Sequence, residues 1–363
     1  MSFDKILGQK RPKEILQKAL KHNRLASGYL FSGAEGAGKE ALAIEFAKAV
    51  FCTSEEEKPC NTCSGCRRVG NFSHPDFIFI FPKPKTASLE NEREILDSLS
   101  RNPYLRKRPW ASPGISINQI RELRHVSTLA PREGHRVVII AEADKMTVEA
   151  ENSLLKLLEE PPPSMHLVLT TARPNILLPT IISRCQEIRF GLISDQEIEE
   201  TLIREKQISA EQARLISKIS QGSYRRAMEL VEEDLAGRRE TAVELVRGCL
   251  RDNLSKFSLI EKTIAAYDKR SVKELLSLML IWFRDALILA NDENDKEALQ
   301  EKIINLDQLE TLEKFVAAFR QINYEEAFSE IEKSIELIDR NVQLNLILIV
   351  LFSRLAKIIS HKG

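Results

Sequence analysis

The stretch that most constrains this chain is Ser32-Gly33-Ala34-Glu35-Gly36-Ala37-Gly38-Lys39-Glu40, which spells GxxxxGK between the apolar run Gly28-Tyr29-Leu30-Phe31 and an alanine-rich segment over 41–52. Apolar run, glycine loop and helix in that order are the setting of a phosphate-binding loop. Glycines let backbone N–H groups wrap phosphates, the lysine reaches the outer phosphates, and a following Ser or Thr holds Mg²⁺. Here the following residue is Glu40. Leu42, Phe46 and Val50 fall on one stripe and predict an amphipathic helix after the loop. The pattern predicts an α/β P-loop domain whose cofactor-binding candidates are Gly33, Gly36, Gly38 and Lys39. Lys39 could instead pair with Glu40 or Glu142.

A chain of 363 residues exceeds one ordinary domain. Its 53 Lys and Arg balance 53 Asp and Glu, so no global field points to nucleic acid or a membrane surface. The apolar run over 346–352 is too short to span a bilayer, which excludes a membrane role for it. Together with the plain opening Met-Ser-Phe-Asp-Lys this gives the expectation of a soluble, cytoplasmic protein. Positive charge is concentrated locally. Between 101 and 136 stand Arg101, Arg106, Lys107, Arg108, Arg121, Arg124, Arg132 and Arg136 against Glu122 and Glu133. Such a stretch suits either a phosphate backbone or a solvated face.

Four of the six cysteines lie at Cys52, Cys60, Cys63 and Cys66, a C-x7-C-x2-C-x2-C pattern whose first gap holds an acidic excursion over 55–57. Four thiolates can surround one Zn²⁺ tetrahedrally at about 2.3 Å per sulfur, and the closed shell makes the metal structural rather than catalytic. Asn, Thr, Ser and Gly between the thiols favour tight turns. An iron–sulfur cluster or disulfides are the competing readings of the same spacing. His74 is a possible substitute ligand, read more simply as a polar surface residue; Cys185 and Cys249 read as packed residues.

The rest of the chain alternates at first. A helix is expected around 12–20, a strand over 76–81, and a long polar connection with helix fragments over 82–113. A helix follows near 119–123, and Arg136-Val137-Val138-Ile139-Ile140 reads as a buried parallel strand. That strand leads into Ala141-Glu142-Ala143-Asp144, where an ATPase would carry an Asp-Glu pair; Ala141 takes the Asp place and Glu142 remains. A helix over 147–160 ends at Pro161-Pro162-Pro163, a strand covers 165–171, and a short strand covers 186–190. From Ile193 the pattern is helical throughout, with capping boxes at Ser194-Asp195-Gln196-Glu197 and Ser209-Ala210-Glu211-Gln212.

Taken in order, these motifs resemble the bacterial DNA polymerase III clamp-loader family, an AAA+ assembly. The residues that carry the likeness are Leu30-Phe31-Ser32-Gly33 with its loop, the cysteine knuckle, residues 137–144, Asn152-Ser153-Leu154-Leu155-Lys156-Leu157-Leu158-Glu159-Glu160-Pro161-Pro162, Thr170-Thr171, Ser183-Arg184-Cys185 and Gly222-Ser223-Tyr224-Arg225. The resemblance covers about residues 1–240. It implies an AAA+ P-loop domain with a parallel sheet and inserted zinc knuckle over 1–191 (knuckle at 52–66), a small helical lid over 192–242, and an all-α collar over 243–363. Motor subunits of the family keep a hydroxyl after the loop lysine and an Asp-Glu pair, so Glu40 and Ala141 make this chain similar to the stator-type, delta-prime branch.

That resemblance implies little or no ATP binding and no intrinsic hydrolysis. It further implies a structural zinc and a hetero-oligomeric ring with motor (gamma or tau) and delta subunits that loads a sliding clamp onto primed DNA. Arg184 of the Ser-Arg-Cys motif is the implied arginine finger, reaching the ATP of a neighbouring subunit, where such a residue is worth about 10³ to 10⁵ in rate. Arg225 matches the family's second sensor. The rival expectation is an active ATP-hydrolysing motor built on Glu40 and Glu142; a zinc-dependent DNA-binding module is a weaker third.

Overall fold

The computed structural model describes residues 3–360 apart from 56, 111–112, 233–234, 292–301, 306–307 and 320–321. Glu56 of the acidic excursion and two residues of the connection over 82–113 therefore lie outside the described residues. By packing, the chain divides into two compact units. One comprises the residues up to Glu205 together with Ser220–Met228, the other Lys206–Ile219 and the chain from Glu229 onward.

The first unit is built on five strands, β1 (Gly28–Gly33), β2 (Phe77–Ile80), β3 (Arg136–Ile140), β4 (Met165–Thr171) and β5 (Gln186–Phe190). They pair in the order β2-β3-β4-β1-β5, all parallel. Every residue of β3 and β4 is buried, the burial expected of strands covered on both faces. Because side chains alternate across a strand, Tyr29, Phe31, Val137, Ile139 and Val168 feed one core while Leu30, Val138, Ile140, Leu167 and Leu169 feed the other. The first core is covered by α1 (Lys10–Lys21) and α2 (Lys39–Val50) through Leu16, Leu42 and Phe46.

On the opposite face lie α5 (Ile117–Ser127) and α6 (Val148–Glu159), which bring Ile120, Leu123, Leu154 and Leu157. Thr147 caps α6 by accepting from the Ala150 N–H, and the helix stops before the three prolines. The short α3 (Ser64–Gly70) carries the last cysteine of the knuckle, and α4 (Leu89–Arg101) lies in the polar connection where helix fragments are expected. Its Ser88 cap and buried Ile95 and Leu99 explain a helix there. The four-residue α7 (Pro179–Ile182) precedes β5, and α8 (Asp195–Lys206) opens with the expected capping box, Ser194 Oγ accepting from the Glu197 N–H and donating to Glu197 Oε2.

Only helices follow among the described residues. They are α9 (Ala210–Ser220), α10 (Tyr224–Glu232), α11 (Leu235–Gly248), α12 (Asn253–Ala266), α13 (Lys269–Asn291), α14 (Leu309–Ala318), α15 (Tyr324–Asp339) and α16 (Leu344–Ser360). In the second unit α13 lies against α11, α14 and α15, and α16 against α12 and α15, with Cys249 fully buried as a small core residue. No helix of the described residues is long and apolar enough to cross a membrane.

Candidate functional site

The ligand-facing edge of an open parallel sheet is the carboxyl end of its strands. Here that edge carries Glu35, Gly36 and Gly38 after β1, Glu142, Asp144 and Lys145 after β3 and residues 172–173 after β4, which together with Lys39, Glu40, Pro103, Tyr104, Arg106, Arg108 and Arg225 line a cavity of about 270 Å³. The loop conformation depends on glycine. Gly36 has φ 78°, and a Cβ there would lie 1.8 Å from Ser223 Oγ. Gly33 has φ 146°, and a Cβ there would lie 2.3 Å from the Phe190 carbonyl oxygen. Gly38, at φ 89°, is the residue from which α2 starts.

Lys39 pairs with neither carboxylate foreseen for it. Its Nζ donates to the carbonyl oxygens of Gly33 (2.7 Å) and Ala34 (2.6 Å), bracing the loop from within. Burial lowers this ammonium to about 8, against the opposing pull of Glu40, Glu35 and Asp144. The two carboxylates go elsewhere. Arg106 donates through Nε to Glu40 Oε2 (2.9 Å) and through Nη2 to Glu40 Oε1 (3.1 Å), and the same Nη2 also bonds Glu142 Oε1. Glu142 is further paired with Arg108 Nη2 at 2.7 Å and with Lys145. Burial alone would raise the Glu142 carboxyl, but Arg106, Arg108 and Lys145 outweigh it and hold the group down at about 2.

Around this core two further acids are also paired, while Arg108 Nε is buried without a hydrogen-bond partner among the described residues. Glu35 Oε1 accepts from Arg225 Nη1 at 2.6 Å and from Arg108 Nη1. Asp144 accepts from the Thr171 hydroxyl at 2.8 Å and from Arg173 Nη2 at 2.8 Å. Gly36, Gly38, Lys39 and Arg225 thus line one cavity, Gly33 joins it only through its carbonyl bond from Lys39, and Arg184 is not among the lining residues.

Arg106 and Arg108 are the site residues that sequence reasoning did not single out, since the basic stretch over 101–136 was open to a DNA-contacting reading. A signal for them existed. Residues two apart in an extended segment face the same way, and two acids with no metal to hold need a cation. Arg136, from the same stretch, is buried against Asp76 at 3.2 Å and donates to the carbonyls of Val126 and Leu129. Two further members of that stretch lie elsewhere: Arg132 donates its backbone N–H to Asp76, and Lys107 pairs with Glu94 on the surface.

The cysteines form a second centre at the end of α2. The sulfurs of Cys52, Cys60, Cys63 and Cys66 all lie within 4.8 Å of one another, and Cys63 Sγ is 4.0 Å from Cys52 Sγ. A tetrahedral site with 2.3 Å bonds has sulfur–sulfur edges of about 3.8 Å, so the donor set fits a thiolate-bound metal ion. Backbone N–H groups of Cys60, Cys63 and Cys66 point at the sulfurs of Cys52, Cys60 and Cys63 at 3.3–3.5 Å, stabilising negative charge on them. Hydrogen bonds from Thr62 and the Cys63 N–H pull Cys60 down to about 5, whereas burial pushes Cys66 up.

His74 is neither a ligand nor a surface residue. It is buried, its Nδ1 accepts from the Asp76 N–H at 3.2 Å, and its Nε2 is left to donate to Glu133 at 3.1 Å. Its ring also packs on Phe51, centroids 3.9 Å apart, which explains why a histidine beside a proline turns inward.

Arg184 follows α7. Its Nη2 lies 3.0 Å from Glu159 Oε1 and its Nη1 donates to the Thr180 carbonyl at 3.1 Å, with the side chain 36% exposed. Cys185 packs on the core beneath it.

A family model described as DNA polymerase III, delta subunit, matches residues 8–194. The DNA polymerase III subunit delta' of Bacillus subtilis (strain 168) is 31% identical over 304 residues, 83% of this chain and 83% of that one. The DNA polymerase III subunit tau of the same organism is 32% identical over 241 residues, 64% of this chain and 38% of tau. Among solved structures, a DNA polymerase III, gamma subunit-related protein of Thermotoga maritima aligns with a TM-score of 0.41 at 15% identity, covering 94% of this chain and 99% of that one.

Proposed function

The chain belongs to the DNA polymerase III delta-subunit family of clamp-loader proteins, and we propose that within it this protein is a delta-prime-type stator without ATPase activity of its own. The observation that carries the reading is the engagement of both Glu40 and Glu142 by Arg106. A nucleotide-hydrolysing P-loop needs a hydroxyl and an acidic anchor for Mg²⁺. This chain has Glu40 and Ala141 at those places, and Glu40 and Glu142 are already paired within the protein. The residues present do not fit a bound Mg²⁺–ATP.

In this role the protein acts on its neighbours. Residues 1–191 form the nucleotide-binding-like domain, 192–242 the lid and 243–363 the collar that joins a ring with gamma or tau and delta subunits. The ring opens a sliding clamp on primed DNA in the cytoplasm. Arg184 supplies an arginine finger to the ATP of an adjacent motor subunit, and Arg225 is retained as a structural partner of Glu35. Cys52, Cys60, Cys63 and Cys66 hold one structural Zn²⁺ that ties α3 to the end of α2. Its chemistry there is to fix the fold, since four thiolates leave no open position.

Steady-state ATP hydrolysis by the purified chain alone, beside Lys39→Ala, tests the proposal. No turnover in either protein supports the stator. Turnover that disappears with Lys39→Ala makes the chain a motor, the reading to which similarity with tau also points.

A further inference from the structure

Arg106 is placed with care. Its side chain is 5% exposed, its guanidinium carbon lies 6.0 Å over the Phe81 ring, and the segment that delivers it is pinned by the Tyr104 hydroxyl, which accepts from the Leu7 N–H at 2.8 Å. A guanidinium is planar, permanently charged and forked, so it can hold one carboxylate on two oxygens and still reach a second. Here the first carboxylate is Glu40, in the opening turn of α2, and the second is Glu142, just past β3. These are the elements a bound divalent cation would bridge in a working P-loop domain.

We infer that Arg106 is a built-in cation occupying the place of a divalent metal, so that the loop keeps its conformation with no ligand bound. The inference rests on the non-motor reading above and extends it: the two acids are held by a specific residue, beyond the site merely lacking catalytic groups. A divalent cation competing for Glu40 and Glu142 must displace a charge that is already buried and satisfied on both sides. The loop is thereby uncoupled from cellular Mg²⁺ and nucleotide. Arg108 and Lys145 hold Glu142 from its other sides, and among the described residues Arg106 is the side chain that joins the two acids.

The test uses Mn²⁺ as the probe and the full-length chain. Mn²⁺ binding is followed by the loss of its free paramagnetic signal, and hydrogen exchange is followed over residues 33–42. The wild-type chain is expected to take up no Mn²⁺ at this pocket and to keep its loop protected whether or not chelator is present. Arg106→Ala should bind Mn²⁺ about tenfold or more tightly than wild type, because a unit positive charge next to the cation's position is gone. It should also lose loop protection without the cation and regain it with the cation.

Adding Glu142→Gln to Arg106→Ala should abolish that uptake. A folded Arg106→Ala that takes up Mn²⁺ no better than wild type overturns the inference, as does wild-type uptake that Glu142→Gln removes. Arg106→Lys covers the case in which the alanine variant does not fold. One ammonium cannot span both acids, so loop exchange must quicken; unchanged protection overturns the inference. Since no readout involves ATP, failure here leaves the hydrolysis test of the stator reading untouched.

Discussion

Arg184 and Glu159 form an ion pair at the protein surface, Nη2 to Oε1 at 3.0 Å, with side chains 36% and 49% exposed. Pairs this open to water contribute between zero and about 1 kcal/mol. Arg184→Ala is therefore expected to leave the unfolding of the isolated chain within about 1 kcal/mol of wild type. In a complex reconstituted with motor subunits, the same change should lower ATP turnover at the served site by about 10³-fold or more while assembly is unchanged. Calorimetry and steady-state turnover on the same preparations separate the two roles. Unchanged turnover would leave Arg184 as a partner of Glu159 alone.

The cysteine knuckle should contain one zinc ion per chain by elemental analysis, with no visible-light absorption; iron and a coloured protein would reverse the assignment. A thiolate-bound ion contributes folding energy directly, because the ligands are not gathered in the unfolded chain. Removing it with a strong chelator, or replacing Cys63 or Cys66 with Ser, should speed hydrogen exchange over 52–70. The effect should extend into the last turn of α2, since Gly65 sits so close that a Cβ would lie 2.1 Å from the Phe51 carbonyl oxygen. The strands of the sheet should keep their protection.

Features that declare themselves over a few consecutive residues were legible in the sequence. The loop between β1 and α2, the buried run of β3, the leucine-rich α6 with its proline stop and the grouping of Cys52, Cys60, Cys63 and Cys66 all follow from local pattern. What depends on distant pairing was not. Nothing local says that Arg106 will meet Glu40, 66 positions away, and Glu142, 36 away. Net charge along a stretch cannot tell a surface cation from one buried against an acid elsewhere, so Arg106, Arg108 and Arg136 read as a basic face. His74 reads as polar for the same reason: its burial is decided by Phe51 and Glu133, neither adjacent to it.

Asp76 and Arg136 illustrate the cost of breaking such a pairing. Asp76 Oδ2 accepts the backbone N–H groups of Arg132 (2.8 Å) and Glu133 (3.0 Å), and its Oδ1 meets Arg136 Nη2, both side chains being almost wholly buried. Asp76→Ala strands a buried guanidinium and two N–H donors. A loss of about 3 to 5 kcal/mol is expected, measured by urea unfolding. Asp76→Asn, which keeps a carbonyl for the two N–H groups, should lose less.

Glu142 sets an acid limit on the P-loop unit. Its carboxyl titrates at about 2 in the folded chain against an ordinary value of 4.5. Between those values the unfolded chain binds a proton that the folded chain does not, so stability rises with pH there and falls as the solution is acidified. The contribution is fully present above pH 4.5 and is lost progressively down to pH 2; a difference of this size corresponds to about 3 kcal/mol. In Glu142→Gln this part of the pH dependence should vanish. The variant is expected to be less stable than wild type at pH 7, with the gap narrowing steadily as unfolding is followed from pH 5 to pH 2.5. A gap that stays constant over that range would mean that the Arg106, Arg108 and Lys145 contacts do not hold the carboxylate ionised.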